Sequence, residues 1–250
     1  MRAGPADSTQ APPDPRRSLR RTLGRCAIAT VSLVFLAVLA AALLAWRAPS
    51  WWRGAGDPAA QEIEGADLEN TLVHEMSRVR PDTGDQAAPR AWRSDQWTVE
   101  LRSGEATAWL NTRLSKWLAN QGQPGLPPGV GALQVEFQED QVRLGAEVSG
   151  RVVWAVLRPR VEPDGSIWTQ PARLYAGRLP LPSSWFSAGG VLRERVPGPV
   201  LAALDGRSPL TDRPVLTLGD GRRVRVLALR ALEGRMEITC RTEAGADHGG

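Results

Sequence analysis

The sequence predicts an α+β protein: an N-terminal transmembrane helix, then an antiparallel, curved β-sheet packed on one or two amphipathic helices. Three observations carry that expectation. The run Cys26–Trp46, CAIATVSLVFLAVLAAALLAW, contains no charged residue. Residues 57–79 and 104–120 place apolar side chains at helical spacing. From Leu133 onwards, short stretches of alternating apolar and polar residues are separated by turn sequences such as Asp164-Gly165 and Glu233-Gly234.

The uncharged run comes first in the chain. At ~1.5 Å per residue its helix spans roughly 31 Å, the thickness of a bilayer's hydrocarbon core. Arg16, Arg17, Arg20, Arg21 and Arg25 crowd its N-terminal side, whereas only Arg47 and Arg53 follow closely. The positive-inside bias therefore makes residues 1–25 a disordered, basic cytoplasmic tail and sends 47–250 across a bacterial inner membrane, to the periplasm or cell exterior. Trp46, Trp51 and Trp52 fit an outer aromatic belt. A cleaved signal peptide, cut near Ala40-x-Ala42, is the alternative. The run is longer than the ~7–15 residues of a signal core, which favours an uncleaved single-pass anchor.

Net charge requires division. The chain is +4 overall, and residues 1–25 hold six arginines against two aspartates, so the tail accounts for all of it. The remaining 25 basic and 25 acidic residues balance. The basic excess belongs to the anchor's flank, and no nucleic-acid partner is implied. Lys116 is the only lysine among 31 basic residues, a bias of GC-rich bacterial genomes. Cys26 and Cys240 fall on opposite sides of such a topology and do not pair.

Residues 47–91 are read as a linker (47–56), a membrane-proximal helix and a loop. Asp57-Pro58 opens the helix as cap and first residue. Leu68, Leu72, Met76 and Val79 form its stripe, widened by Ala66 and Val73, and Pro81 ends it. Residues 92–243 form the extracytoplasmic α+β domain. A strand begins at Trp97, and Ser103 caps a helix over 104–120 with the stripe Ala106, Trp109, Leu110, Leu114, Trp117 and Leu118. Strands follow at 133–138, 142–148 and 151–161, a fourth in two pieces at 166–170 and 173–176, and a meander over 215–218, 223–232 and 235–241. Short helical pieces are expected at 185–194 and 199–204, and 244–250 is a disordered tail.

No catalytic motif emerges. GxSxG, SxxK, P-loop, GxGxxG and HExxH patterns are absent from the sequence, and the two histidines, His74 and His248, have no metal-ligand spacing. Neighbouring carboxylates such as Glu136/Glu139 fall at a strand end and its turn. The reading is non-enzymatic, with no catalytic residue, metal or cofactor. Ten tryptophans against one tyrosine and three phenylalanines leave two roles for the indoles. They fill the core, or they line an apolar groove between helix and sheet, with Trp109, Leu114, Trp117, Trp154 and Trp168 as its candidate residues.

The segments WLNTRLSKWLANQG, LQVEFQEDQVRLGAEVSG, RVVWAVLRPRVEPDGSIW and GRLPLP follow one another over residues 109–182. With the strand before them, they resemble the YpmS-like group of membrane-anchored bacterial proteins, and more remotely envelope lipid-binding domains of the LmeA type. Asn111, Leu114, Asp164, Gly165, Gly177 and Pro180 stand at places comparable to those groups' Asn-x-x-Leu, Asp-Gly and Gly-x-x-Pro elements. The resemblance implies a curved sheet wrapped on helices, with an apolar cavity and no catalytic site. The expected function is a membrane-anchored binding or scaffold module of the cell envelope, whose ligand is a lipid, another apolar molecule or an envelope protein. An envelope hydrolase with an unrecognised site is the alternative.

Overall fold

A computed structural model describes residues 32–81, 92–122, 125–182, 202–212 and 214–245. The chain divides into two units, Met1–Leu43 and Leu44–Gly250. The tails 1–25 and 246–250 and the expected helix at 185–194 lie outside the described residues. Residues 32–46 form helix α1, and its side chains from Leu33 to Leu39 are exposed apolar groups. Among the described residues no helix is long and apolar enough to cross a membrane. The described helix covers only the C-terminal part of the uncharged run.

The second unit is α+β with antiparallel sheets. Helix α2 (Pro58–Ser77) starts as its composition predicts, with Asp57 Oδ1 accepting from Ala59 N–H at 3.2 Å and proline in the first turn. Strand β1 (Arg93–Arg102) runs straight into helix α3 (Ser103–Thr112). Helix α4 (Leu114–Asn120) follows after a break at Arg113. Then come β2 (Val130–Gln138), β3 (Gln141–Val148), β4 (Arg151–Leu157), β5 (Pro159–Val161), β6 (Ile167–Thr169), β7 (Arg173–Ala176) and β8 (Leu179–Pro180). Strands β9 (Val215–Thr217), β10 (Arg223–Leu232) and β11 (Arg235–Glu243) end the fold. Residues 202–204 are helical, the C-terminal end of the piece expected there.

The strands form three sheets instead of the single sheet expected. One has the order β1-β11-β10-β9, a second β2-β3-β4-β7-β8, and β5-β6 is a separate hairpin. The expected third strand, 151–161, is therefore divided between two sheets, as is the expected fourth. Thr169 causes part of this: its buried hydroxyl accepts from Arg158 N–H at 3.0 Å, where β4 ends and the chain turns into the hairpin.

The core lies where the two larger sheets meet α3. Ala106, Val135, Phe137, Val142, Ala231 and Met236 are buried together, with Leu101, Leu110 and Ile238 against them. Backbone bonds lock this junction: Gly234 N–H donates to Phe137 O at 3.0 Å and Asp140 N–H to Ala231 O at 3.1 Å. Gly65 is buried where α2 crosses α3, and a Cβ there would collide with Thr112 Oγ1. Leu68 is buried and Leu72 and Met76 are half-buried as the stripe predicts, but Val73 and Val79 are exposed. Arg222 closes α2 from the β9–β10 turn, its Nη2 donating to Ser77 O at 2.7 Å, where a cation complements the helix's C-terminal dipole.

The expected single helix over 104–120 is corrected by the break at Arg113, which forms ion pairs with Glu62 and Glu69 of α2 at 3.1 and 3.5 Å. No residue of α4 is buried. Ser103 is also not the cap. It is the first helical residue, and its hydroxyl accepts from Phe137 N–H at 2.9 Å.

Candidate functional site

The stretch read as a linker, 47–56, is instead packed onto the five-stranded sheet. Trp51 is 7% exposed. Its carbonyl accepts from Gln134 Nε2 at 2.8 Å, and Arg53 N–H donates to Gln134 Oε1 at 2.9 Å. One buried amide on β2 thus pairs both ways with the incoming backbone, as a neighbouring strand would. The Trp51 ring stands edge-on to Trp52 (centroids 5.9 Å apart) and to Trp154 of β4 (5.5 Å). This burial overturns the placing of Trp51 in an outer aromatic belt. Its ring carbons are covered by Trp52 and Trp154, while its Nε1 is buried and, among the described residues, has no hydrogen-bond partner. Trp46 stays 71% exposed, with the Arg151 guanidinium 4.9 Å from its ring centroid.

Two glycines make this docking sterically possible. A Cβ at Gly145 would come within 2.8 Å of both Trp51 and Trp52. A Cβ at Gly177 would lie 2.5 to 2.7 Å from the carbonyl oxygens of Leu44, Ala45 and Arg47, and its φ of +55° favours glycine as well. Next to it, Arg178 N–H donates to Leu44 O at 2.8 Å and Arg178 Nε to Ala48 O at 3.1 Å. The carbonyls left open where a helix ends are thereby satisfied by the sheet.

Cross-strand register builds the rest of this face. Glu136, Arg143, Val156 and Arg173 pair in one row across β2, β3, β4 and β7, and Gln134, Gly145, Trp154 and Tyr175 in the next. Paired residues share a face. Trp154 and Tyr175 stack at 4.0 Å with 9° between planes, and Trp154 Nε1 donates to Gly177 O at 2.7 Å. Above them lies a cavity of about 260 Å³ lined by Arg143, Arg158, Arg173, Gln141, Gln170 and the stacked rings, with no acidic residue among the described residues of its wall. Arg143 pairs with Glu136 at 2.9 Å, but its Nε is buried with no partner. Among the described residues the Arg158 guanidinium meets only the Gln170 side chain, at 3.4 Å, and the Arg173 guanidinium has no side-chain partner.

The five residues proposed from sequence for an apolar groove fall in three places. Trp109 and Trp117 pair edge-on across the α3–α4 break, 6.5 Å apart, near half-buried Leu114, and Trp117 is 48% exposed. Trp154 belongs to the stacked pair on the sheet. Trp168 lies in the β5–β6 hairpin, with its Nε1 donating to Ser166 Oγ at 2.7 Å. A second cavity, of about 390 Å³, lies between the start of α2 and the β2 edge, where Arg53, Asp57, Glu64 and Glu136 contribute to its wall. Both cavities carry charged side chains. Sequence reasoning missed Trp51, Gln134 and the arginine rows. The period-two placing of Arg143 was visible in the sequence, but its alignment with Arg173 depends on a pairing across an intervening hairpin.

Comparison with protein-family models, with curated proteins and with solved structures gives no match to this chain.

Proposed function

We propose that this protein is a single-pass, membrane-anchored binding module of the bacterial envelope, its N-terminus cytoplasmic and its α+β domain held at the outer surface of the inner membrane. The observation that carries the reading is the passage from the uncharged run 26–46 directly into a packed segment: Leu44, Ala48, Trp51 and Arg53 are all bonded to or buried against the domain. Residues 44–53 are therefore part of the domain's own packing. In this reading the ligand is a lipid or an envelope protein met at that surface. The resemblance to YpmS-like and LmeA-type proteins supports the same assignment.

Topology tests it. In a Cys26→Ser background, Gly250→Cys should react with a membrane-impermeant maleimide in intact spheroplasts, and Ala3→Cys only after lysis. Labelling of Ala3→Cys in intact spheroplasts, with Gly250→Cys protected, would reverse the orientation and end the proposal.

A further inference from the structure

We infer that the pocket formed by Arg143, Arg158 and Arg173 above the Trp154–Tyr175 stack binds the phosphate group of an anionic ligand. Residues 26–250 are charge-balanced, yet three arginines share the wall of a cavity of about 260 Å³ with no carboxylate among the described residues of that wall. Glu136 offsets one of them. Among the described residues, neither the Arg158 nor the Arg173 guanidinium has an ion-pair partner; both residues are solvent-exposed, and together they leave a local positive excess that attracts an anion.

The geometry selects the anion's chemistry. Arg143 and Arg173 sit on either side of Val156 in one cross-strand row, so their backbones are two strand spacings apart, about 9–10 Å. Arginine side chains are long enough to reach a group placed between those strands. Guanidinium forks match the oxygens of phosphate, which offers three acceptors to several donors at once. Trp154 and Tyr175 of the stacked pair also line the cavity, and aromatic carbon there suits the carbon portion of a phosphoester. Trp154 is held by its bond to Gly177 O and by contact with Trp51. It therefore positions the wall instead of donating to the ligand.

Two sources present this chemistry: a phospholipid headgroup and a soluble phosphoester. The headgroup source rests on the anchored-module reading, because the pocket lies one indole away from the segment 44–51 that leaves the apolar run. The phosphate site itself holds whichever side of the membrane the domain occupies.

The test uses the full chain. In neutral detergent, inorganic phosphate and glycerol 1-phosphate are titrated against tryptophan fluorescence. In parallel, the protein is ejected from nanodiscs of phosphatidylcholine with or without phosphatidylglycerol, and retained lipid is read by native mass spectrometry. Arg158→Gln/Arg173→Gln removes the two unpaired charges, and Arg173→Lys keeps charge but loses the fork, which covers the case of a misfolded double variant. Arg230→Gln/Arg235→Gln on the other sheet controls for general charge. We expect saturable binding of a phosphate probe or retention of phosphatidylglycerol, weakened tenfold or more by the pocket double variant, several-fold by Arg173→Lys, and unchanged by the control. A soluble probe that binds without lipid retention assigns a phosphoester; arginine-dependent retention of phosphatidylglycerol assigns a headgroup. Absence of both, or equal losses in pocket and control variants, overturns the site. The maleimide experiment above is independent of these readouts, so failure of the anchor and failure of the pocket are told apart.

Discussion

Asn111 and Leu133 exchange two hydrogen bonds: Asn111 Nδ2 donates to the Leu133 carbonyl and Leu133 N–H donates to Asn111 Oδ1, both at 2.8 Å. This pair is one rung of three. Thr107 Oγ1 accepts from Val135 N–H at 3.0 Å and Ser103 Oγ from Phe137 N–H at 2.9 Å. Four helical residues rise about 6 Å and two strand residues about 6.6 Å, so every fourth side chain of α3 stays in step with every second residue of β2. Strand β2 is an edge of its sheet, and these side chains occupy the backbone groups that an exposed edge would offer to another chain.

Asn111→Ala removes both bonds and leaves part-buried backbone groups unpaired. It should lower unfolding free energy by about 1–3 kcal/mol. Asn111→Asp keeps the acceptor for Leu133 N–H but turns a carboxylate oxygen onto the Thr107 and Leu133 carbonyls, and should lose at least as much. Urea titrations of the detergent-solubilised protein decide this. Equal stability of wild type and Asn111→Ala would refute the edge-covering role.

Gly145→Val should displace the segment that carries Trp51 and Trp52, because even a Cβ at that position meets both rings within 2.8 Å. The cost is that of overpacking, about 1–3 kcal/mol. The visible effect should be a red-shifted tryptophan emission and faster proteolysis between residues 47 and 56. An emission spectrum identical to wild type would place Trp51 elsewhere.

Phe137 and Trp117 should separate sharply. Phe137 is 3% exposed in the central core, so Phe137→Ala should cost about 3–5 kcal/mol. Trp117→Ala removes a larger side chain but one that is 48% exposed, and should shift stability by no more than about 0.5 kcal/mol. Thermal melts of the two variants measure the contrast. A greater loss from Trp117→Ala would mean that α4 covers more of the domain than its exposure indicates.

Cys240 is 1% exposed, and burial pushes its thiol up from 9.0 to about 11, with Arg80 opposing weakly. The folded protein therefore keeps a proton that the unfolded chain has lost in that interval. The resulting stability is complete below pH 9.0 and is lost as pH rises through about 11. In a Cys26→Ser background, Cys240 should resist Ellman's reagent until urea is added. Cys240→Ala should lack this part of the alkaline decline. Rapid modification of the native protein would contradict the burial.

Residue periodicity carried the secondary structure a long way. The cap at Asp57-Pro58, the stripe through Leu68 and Leu72, the β2–β3 hairpin around Asp140 and the final meander are all local signals, and local signals survive in a one-dimensional pattern. The uncharged run Cys26–Trp46 is also a property of composition alone. Local pattern could not show that β1 joins the meander, pairing Arg102 with Arg235 and Arg93 with Glu243, or that 151–161 is shared between sheets, because strand partners are chosen by burial across the whole chain.

The candidate site divides in the same way. Asn111 stood out in the sequence beside Leu114, but its task at the β2 edge required the helix to lie along that strand. The tryptophans at 51 and 52 read as membrane-belt residues, since an indole near an apolar run fits that role equally well. Only the tertiary structure brought Gly145 and Gln134 beneath them and turned a linker into part of the sheet's surface. Arg143, Arg158 and Arg173 are spread over 31 residues of sequence among many other arginines. Antiparallel register put them around one space, and their charge acquires meaning from that proximity, because electrostatic interaction depends on distance in space and not along the chain.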